Sequence, residues 1–200
     1  MKLYFAPNAC SLAPHIILRE LALPFDLVQV DNQAKTTADG EDFLQINPKG
    51  YVAALQLDNG QVLTEASAIL QYLADLKPEA HLAPANGSWE RVRLQEWLNF
   101  IATEVHGGLA VFFNRAIQGE VRTMFQATLF KRFAVLVQTL AQQDYLLGAQ
   151  YSVADAYLFV VLRWSALHGI ELSEWPALAA FQQRIGKRPT VVAALAAENP

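Results

Sequence analysis

The chain has 200 residues, 53% of them hydrophobic and 17% charged, with a formal net charge of -4. This composition suits one large domain or two small ones and excludes a disordered chain. It leaves no electrostatic footprint for nucleic acid or an anionic membrane, and the single cysteine excludes both an internal disulfide and a four-cysteine zinc site. The start, "MKLYFAPNAC", lacks the apolar stretch of a secretory signal. The longest apolar run, Ala156 to Leu162, is far short of the roughly 20 residues a spanning helix needs. A reducing, cytoplasmic location is the expectation, with no membrane and no nucleic-acid partner.

"KLYFA" (2–6) reads as a strand stopped by Pro7. The stretch "LAPHIILREL" then reads as a helix with Ser11 as its cap and Pro14 in its first turn. "DLVQV" (26–30) is a second strand, and the strand–helix–strand spacing suggests a βαβ unit. After a polar stretch with a turn at "INPKG" come "AALQLD" (53–58), an Asn59-Gly60 hairpin signal and "QVL" (61–63). Thr64 to Leu76 places Ala68, Ile69, Tyr72 and Leu73 on one helical face. The first part thus reads β-α-β-α-β-β-α, over residues 1–78.

Residues 79–87, within the Pro-, Gly- and Ala-rich "KPEAHLAPANGS", read as a linker, and 88–200 as an all-helical domain. Leu94, Trp97, Leu98, Ile101 and Val105 form one apolar stripe. Val121 to Gln143 is a second long helix. "SVAD" (152–155) is a capping-box signature, with Asp155 as a structural cap, and the helix it opens is apolar nearly all round. A helix over Pro176 to Ile185 and a short one opened by Pro189 complete the chain.

Cys10 stands at the mouth of the first helix. The partial positive charge and unpaired amides there favour a thiolate, the reactive form. Ala13 occupies the place of the second cysteine of a Cys-x-x-Cys pair, so dithiol exchange is excluded while pairing with an external thiol is not. The residue types alone leave a small buried cysteine as the alternative. On a regular helix, Asn99, Thr103 and His106 share the face opposite the apolar stripe; this is either a solvated face or one side of a cleft.

The segments "KLYFAPNACSLAPHIILRE", "NPKGYVAAL", "LTEASAILQYLAD", "EWLNFIATEVH" and "SVADAYLFVVLRW", in this order, resemble the bacterial beta class of the glutathione transferases across essentially the whole chain. The resemblance implies a thioredoxin-like domain followed by a helical domain. The implied activity is conjugation of glutathione, as co-substrate and without a metal, to small-molecule electrophiles, with thiol exchange or peroxide reduction as related activities. It implies a homodimer. Cys10 would lie beside the glutathione sulfur, and His106 would polarise or deprotonate it. Lys35, Val52, Glu65, Ala66, Ser67, Asn99 and Thr103 match glutathione-binding positions, the last two partly toward the neighbouring subunit. Phe113 and Trp164 would wall the electrophile pocket, although Phe112 and Phe113 also suit the dimer interface.

The sequence departs from the family pattern at four places. Ala53 replaces a cis-proline; a cis bond before a non-proline residue costs about 2.5–4 kcal/mol, so the residues leave cis and trans open there, and a trans bond would reshape the loop. Ala66 replaces a serine that binds the γ-glutamyl carboxylate, with Ser67 one step on. Gly107 replaces a lysine, and Phe5 a tyrosine near the sulfur, with Tyr4 on the opposite face of the strand. All four point to weakened glutathione binding. They keep open a non-catalytic binding protein of this fold, and the pocket lining leaves room for an isomerase or dehalogenase.

Overall fold

A computed structural model describes residues 1–198. The apolar run at the start forms β1 (Lys2–Phe5), with Leu3, Tyr4 and Phe5 buried. Helix α1 (Leu12–Glu20) follows, and Pro14 is its third residue, where no helical amide bond is lost. Then β2 (Asp26–Asp31) returns parallel to β1, with Leu3 opposite Leu27 and Phe5 opposite Gln29. The polar stretch holds α2 (Phe43–Ile46), the helix that the β-α-β-α-β-β-α reading places between the second and third strands, and a short β3 (Thr36–Thr37) that the sequence does not announce. Asp42 caps α2 by accepting from the Leu44 amide at 2.9 Å, and Phe43 is fully buried.

The hairpin of β4 (Ala54–Gln56) and β5 (Val62–Thr64) forms as its Asn-Gly signal predicts, with Gly60 at φ +83° and Asn59 Oδ1 accepting from the Gln61 amide at 3.0 Å. The sheet order is β3-β2-β1-β4-β5, with β1 antiparallel to β4. Helix α3 (Ala66–Leu76) buries Ala66, Ile69, Leu70, Leu73 and Ala74. The buried stripe is therefore rotated from the expected one: Ala68 and Tyr72 lie at its half-buried edge.

Among the described residues, two compact units result: residues 1–81 with 188–198, and residues 82–187. The second begins with α4 (Trp89–Phe100), capped by Ser88 Oγ, which accepts from the Arg91 amide at 3.1 Å. A π-helical turn (Ile101–His106), α5 (Gly107–Ala110), the long α6 (Gly119–Leu140) and α7 (Val153–Leu162) follow. All ten residues of α7 are buried, and it packs against α4, the π turn and the later α9 (Pro176–Gly186). Between them lies the short α8 (Trp164–Leu167). Leu94, Trp97, Leu98, Ile101 and Val105 are all buried, so the expected stripe is the packed one.

The last helix, α10 (Pro189–Glu198), departs from the sequence-based grouping of 88–200. It packs against α1 in the first unit. Polar contacts explain why. Glu198 Oε1 lies 2.8 Å from His15 Nδ1, and Glu20 accepts from Arg188 Nε at 2.7 Å and Thr190 Oγ1 at 2.6 Å. Arg19 Nε donates to His15 Nε2 at 2.8 Å, which makes Nδ1 the protonated nitrogen and the donor to Glu198. Among the described residues, no helix is long and apolar enough to cross a membrane.

Candidate active site

In the first unit, the chain between β1 and α1 turns tightly: the Ala9 amide donates to the Ala6 carbonyl at 3.1 Å, and Asn8 holds φ +61°. Ser11 does not cap α1 with its side chain. Its buried hydroxyl is drawn back to Ala6, lying 3.3 Å from the amide and 3.4 Å from the carbonyl oxygen. The expected cap thus serves to clamp the turn that presents Cys10.

Cys10 is half-buried, and its thiol donates to the Val52 carbonyl at 3.5 Å. Burial pushes the thiol up to about 11; hydrogen bonds from the Ala53 and Cys10 backbone oppose this, and the negative charge of Glu65 adds to it. The expectation of a thiolate is therefore corrected. Desolvation outweighs the helix end, and Cys10 is a neutral thiol at physiological pH.

Val52 and Ala53 are both buried just before β4, and the bond between them, which the residues leave open, is cis. The preceding loop is held from within. Asn47, buried, donates from Nδ2 to the Tyr51 carbonyl at 2.7 Å and accepts from the Lys49 amide at 3.1 Å. Gly50 sits at φ +72°, and a Cβ there would come within 3.1 Å of the Leu44 side chain. Lys35 donates from Nζ to the Gly50 carbonyl at 2.7 Å and lies 4.7 Å from the centre of the Tyr51 ring, so its charge anchors this loop.

Glu65 precedes α3 with φ +72° and ψ 117°, a backbone geometry that side-chain-bearing residues rarely adopt and that clusters at functional sites. Its carbonyl accepts the first amides of α3, from Ala68 at 3.0 Å and Ile69 at 2.9 Å. Its carboxylate accepts from Lys49 Nζ at 2.6 Å. Ala66 is buried, and Ser67 is half-buried beside it. The pairing of Lys49 with Glu65 is not foreseen in the sequence. The only available signal was a lysine in the "NPKG" turn, which reads as an ordinary solvated charge.

The second unit holds the other group of expected residues. The regular helix assumed for Asn99, Thr103 and His106 is interrupted, because residues 101–106 form the π-helical turn. Such wide turns are rare and recur at functional sites. Asn99 and Thr103 are exposed, and Thr103 Oγ1 donates back to the Asn99 carbonyl at 3.1 Å. His106 is half-buried, with Nδ1 2.6 Å from the Tyr157 hydroxyl and its ring edge-on to Trp164 at 4.8 Å. Gly108 follows where helix α5 runs close to α6; a Cβ there would meet Leu129 Cδ1 at 3.2 Å. Trp164 is buried against His106, while Phe113 is exposed and edge-on to Trp164 at 5.3 Å and to His168 at 4.6 Å. Phe112 is buried under the Arg122 guanidinium. Partial burial, and the charge of Arg122 beside it, hold His168 below the usual imidazole range. Among the described residues, no group of three or more His, Cys, Asp and Glu is gathered to hold a metal.

Two family models match the chain: the glutathione S-transferase N-terminal domain over residues 9–76 and the glutathione S-transferase C-terminal domain over residues 100–189. Glutathione S-transferase GstA of Escherichia coli O157:H7 is 43% identical over 199 residues, covering 100% of this chain and 99% of that one. The chain belongs to the glutathione S-transferase family. Among solved structures, a ternary complex of BphK, a bacterial transferase, is 54% identical with a TM-score of 0.98 over 100% of both chains. A sphingomonad transferase in complex with glutathione is 46% identical, with a TM-score of 0.95 over 99% of this chain and 98% of that one. The class is the bacterial beta class, that of a Sphingomonas chungbukensis transferase 45% identical, with a TM-score of 0.95 over 100% of this chain and 99% of that one.

Proposed function

We propose that this transferase holds glutathione on its first unit and conjugates the tripeptide's sulfur to small electrophiles, with Cys10 and His106 acting on that sulfur. The observation that carries the assignment is the Cys10 thiol donating to the Val52 carbonyl at 3.5 Å, beside the Glu65 turn. Binding of the cysteinyl part of glutathione along Val52, like an added strand, displaces that carbonyl contact. The S–H of Cys10 then turns to the incoming sulfur. A neutral thiol donor stabilises a neighbouring thiolate better than a second thiolate would, because two anions repel. His106, oriented by Tyr157, takes the proton that glutathione releases. The thiolate attacks the electrophilic carbon, and the leaving group departs with the electron pair.

Glu65 accepts from the γ-glutamyl ammonium, and the amides of Ala66 and Ser67 at the start of α3 face its carboxylate end. Lys35 keeps the Gly50–Tyr51 loop in place and carries positive charge for the glycyl carboxylate. Asn99 and Thr103 contribute polar contacts, partly across a homodimer. Phe113 and Trp164 offer aromatic walls to the electrophile. The single free thiol fits a reducing cytoplasm. Thiol exchange is a second activity of the same site. The Cys10 thiolate attacks glutathione disulfide, a Cys10–glutathione disulfide forms, and one glutathione thiolate leaves. With the thiol pushed up to about 11, only a small fraction of Cys10 is ionised at neutral pH, so this path is slow. The alternative of a non-catalytic member of the fold gains nothing from relatives that are named as transferases.

The test is turnover of glutathione with a chlorodinitrobenzene. Cys10→Ala and His106→Ala should each lower kcat/KM by about tenfold or more while leaving the thermal midpoint in place. Wild-type turnover in both variants would remove these residues from the chemistry.

A further inference from the structure

One polar atom beside the aromatic wall has no use in the fold. His168 Nε2 is sealed from solvent, and among the described residues nothing bonds to it. An unpaired buried polar atom costs free energy, and native interiors keep few of them. The ring that carries it is firmly placed. Arg122 Nη2 donates to the His168 carbonyl at 2.7 Å while its guanidinium lies over Phe112 at 4.8 Å. The imidazole packs on Phe112 and Phe113, with ring centres 5.6 and 4.6 Å away. Burial and the Arg122 charge hold His168 below the usual imidazole range, so the ring is neutral at physiological pH. A neutral imidazole carries one N–H, and the proton settles on the nitrogen that finds an acceptor.

His106, Trp164, Phe113 and His168 form a continuous chain of edge-on rings, with centres 4.8, 5.3 and 4.6 Å apart. His168 therefore ends the wall that His106 begins. Phe113 is the open link at 52% exposure, whereas Trp164 is buried. A phenyl ring is tied by no hydrogen bond, and exposed side chains change rotamer within nanoseconds. An aromatic electrophile lying on Trp164 can thus push Phe113 aside and uncover Nε2. The geometry points to His168 as a specificity-determining residue, donating from Nε2 to an oxygen acceptor, such as a nitro or carbonyl group, on the electrophile's ring. This inference rests on the transferase reading above, with Phe113 and Trp164 as walls of the electrophile pocket. It adds a choice that aromatic walls alone do not make, because they hold a ring by the apolar area it buries.

Isothermal titration with S-(4-nitrobenzyl)glutathione and S-benzylglutathione tests this, because the two conjugates differ only in the nitro group. The wild type should bind the nitro conjugate about tenfold more tightly. His168→Phe, which keeps a flat ring against Phe112 and Phe113, should abolish that preference and leave S-benzylglutathione within about twofold. His168→Gln, which keeps an N–H donor, should retain part of the preference. The thermal midpoint of His168→Phe should stay level or rise, since an unpaired nitrogen leaves the interior. Equal binding of the two conjugates by the wild type, a preference that survives in His168→Phe, or equal losses for both conjugates would overturn the role of His168 alone. A wild type that binds neither conjugate would overturn the glutathione reading and this inference with it.

Discussion

Asp155 is the fully buried acid at the start of α7, and its removal should be the most damaging single change in the second unit. Its carboxylate accepts from the Leu146 amide at 2.8 Å, the Ser152 amide at 2.9 Å and the Ser152 hydroxyl at 2.7 Å. Asp155→Ala strands two backbone donors in the interior at about 1–3 kcal/mol each, so the cost should be about 2–6 kcal/mol of a total of roughly 5–15. Asp155→Asn keeps one acceptor for Leu146 and sets its amide nitrogen against the Ser152 amide, for about 1–3 kcal/mol. The pH dependence separates charge from hydrogen bonding. Burial pushes this carboxyl up to about 6 from 3.8, against the opposing hydrogen bonds. The folded state then binds more protons than the unfolded state between about pH 4 and 6, so this group's contribution falls as pH rises through that window. The difference corresponds to about 3 kcal/mol. Urea unfolding of wild type and Asp155→Asn across that range should show the wild-type advantage shrinking toward neutral pH. An advantage that grows with pH would refute the argument, because it would mean that the fold favours the ionised carboxylate.

Other outcomes follow from the same structure. Alkylation of Cys10 by iodoacetamide should rise about tenfold per pH unit from neutrality to about pH 10, approaching its plateau near 11; a plateau near neutral pH would show a thiolate. Tyr157→Phe removes the 2.6 Å partner of His106 and should lower kcat about tenfold, with a shifted pH–rate profile and little change in KM for glutathione. An unchanged pH–rate profile would leave Tyr157 as packing only. Glu198→Ala leaves the buried His15 Nδ1–H without its acceptor and should cost about 1–3 kcal/mol in urea unfolding, with Glu198→Gln milder because its amide oxygen still accepts. Equal losses in the two would assign the effect to volume instead.

Much of this fold is readable in the residues because local signals agree with the packing. The Asn59-Gly60 turn, the Ser152–Asp155 box and the Leu94–Val105 stripe each specify an element by a short rule, and each element formed. Failures occur where tertiary context decides. Ser11 has the chemistry of a cap, but its hydroxyl is claimed by Ala6. The helix carrying His106 has no breaker before Gly107, so its π turn gives no periodicity signal. Cys10 shows the same limit in electrostatics: position suggests a helix-end thiolate, while desolvation, invisible in sequence, decides for the thiol. Helix α10 is apolar enough for either unit, and it packs on α1 with Val191 and Ala194 buried and with polar contacts that its sequence does not announce. The pairing of Lys49 with Glu65 joins residues sixteen apart through a turn whose shape the sequence does not state.

The ionisation of bound glutathione tests the central claim most directly. Titrating the thiolate absorbance of glutathione on wild type, Cys10→Ala and His106→Ala reads the sulfur itself. The account predicts a bound sulfur that ionises well below the free tripeptide in the wild type and loses most of that shift in each variant. A bound sulfur that titrates like free glutathione, or one equally acidic in all three proteins, would contradict it.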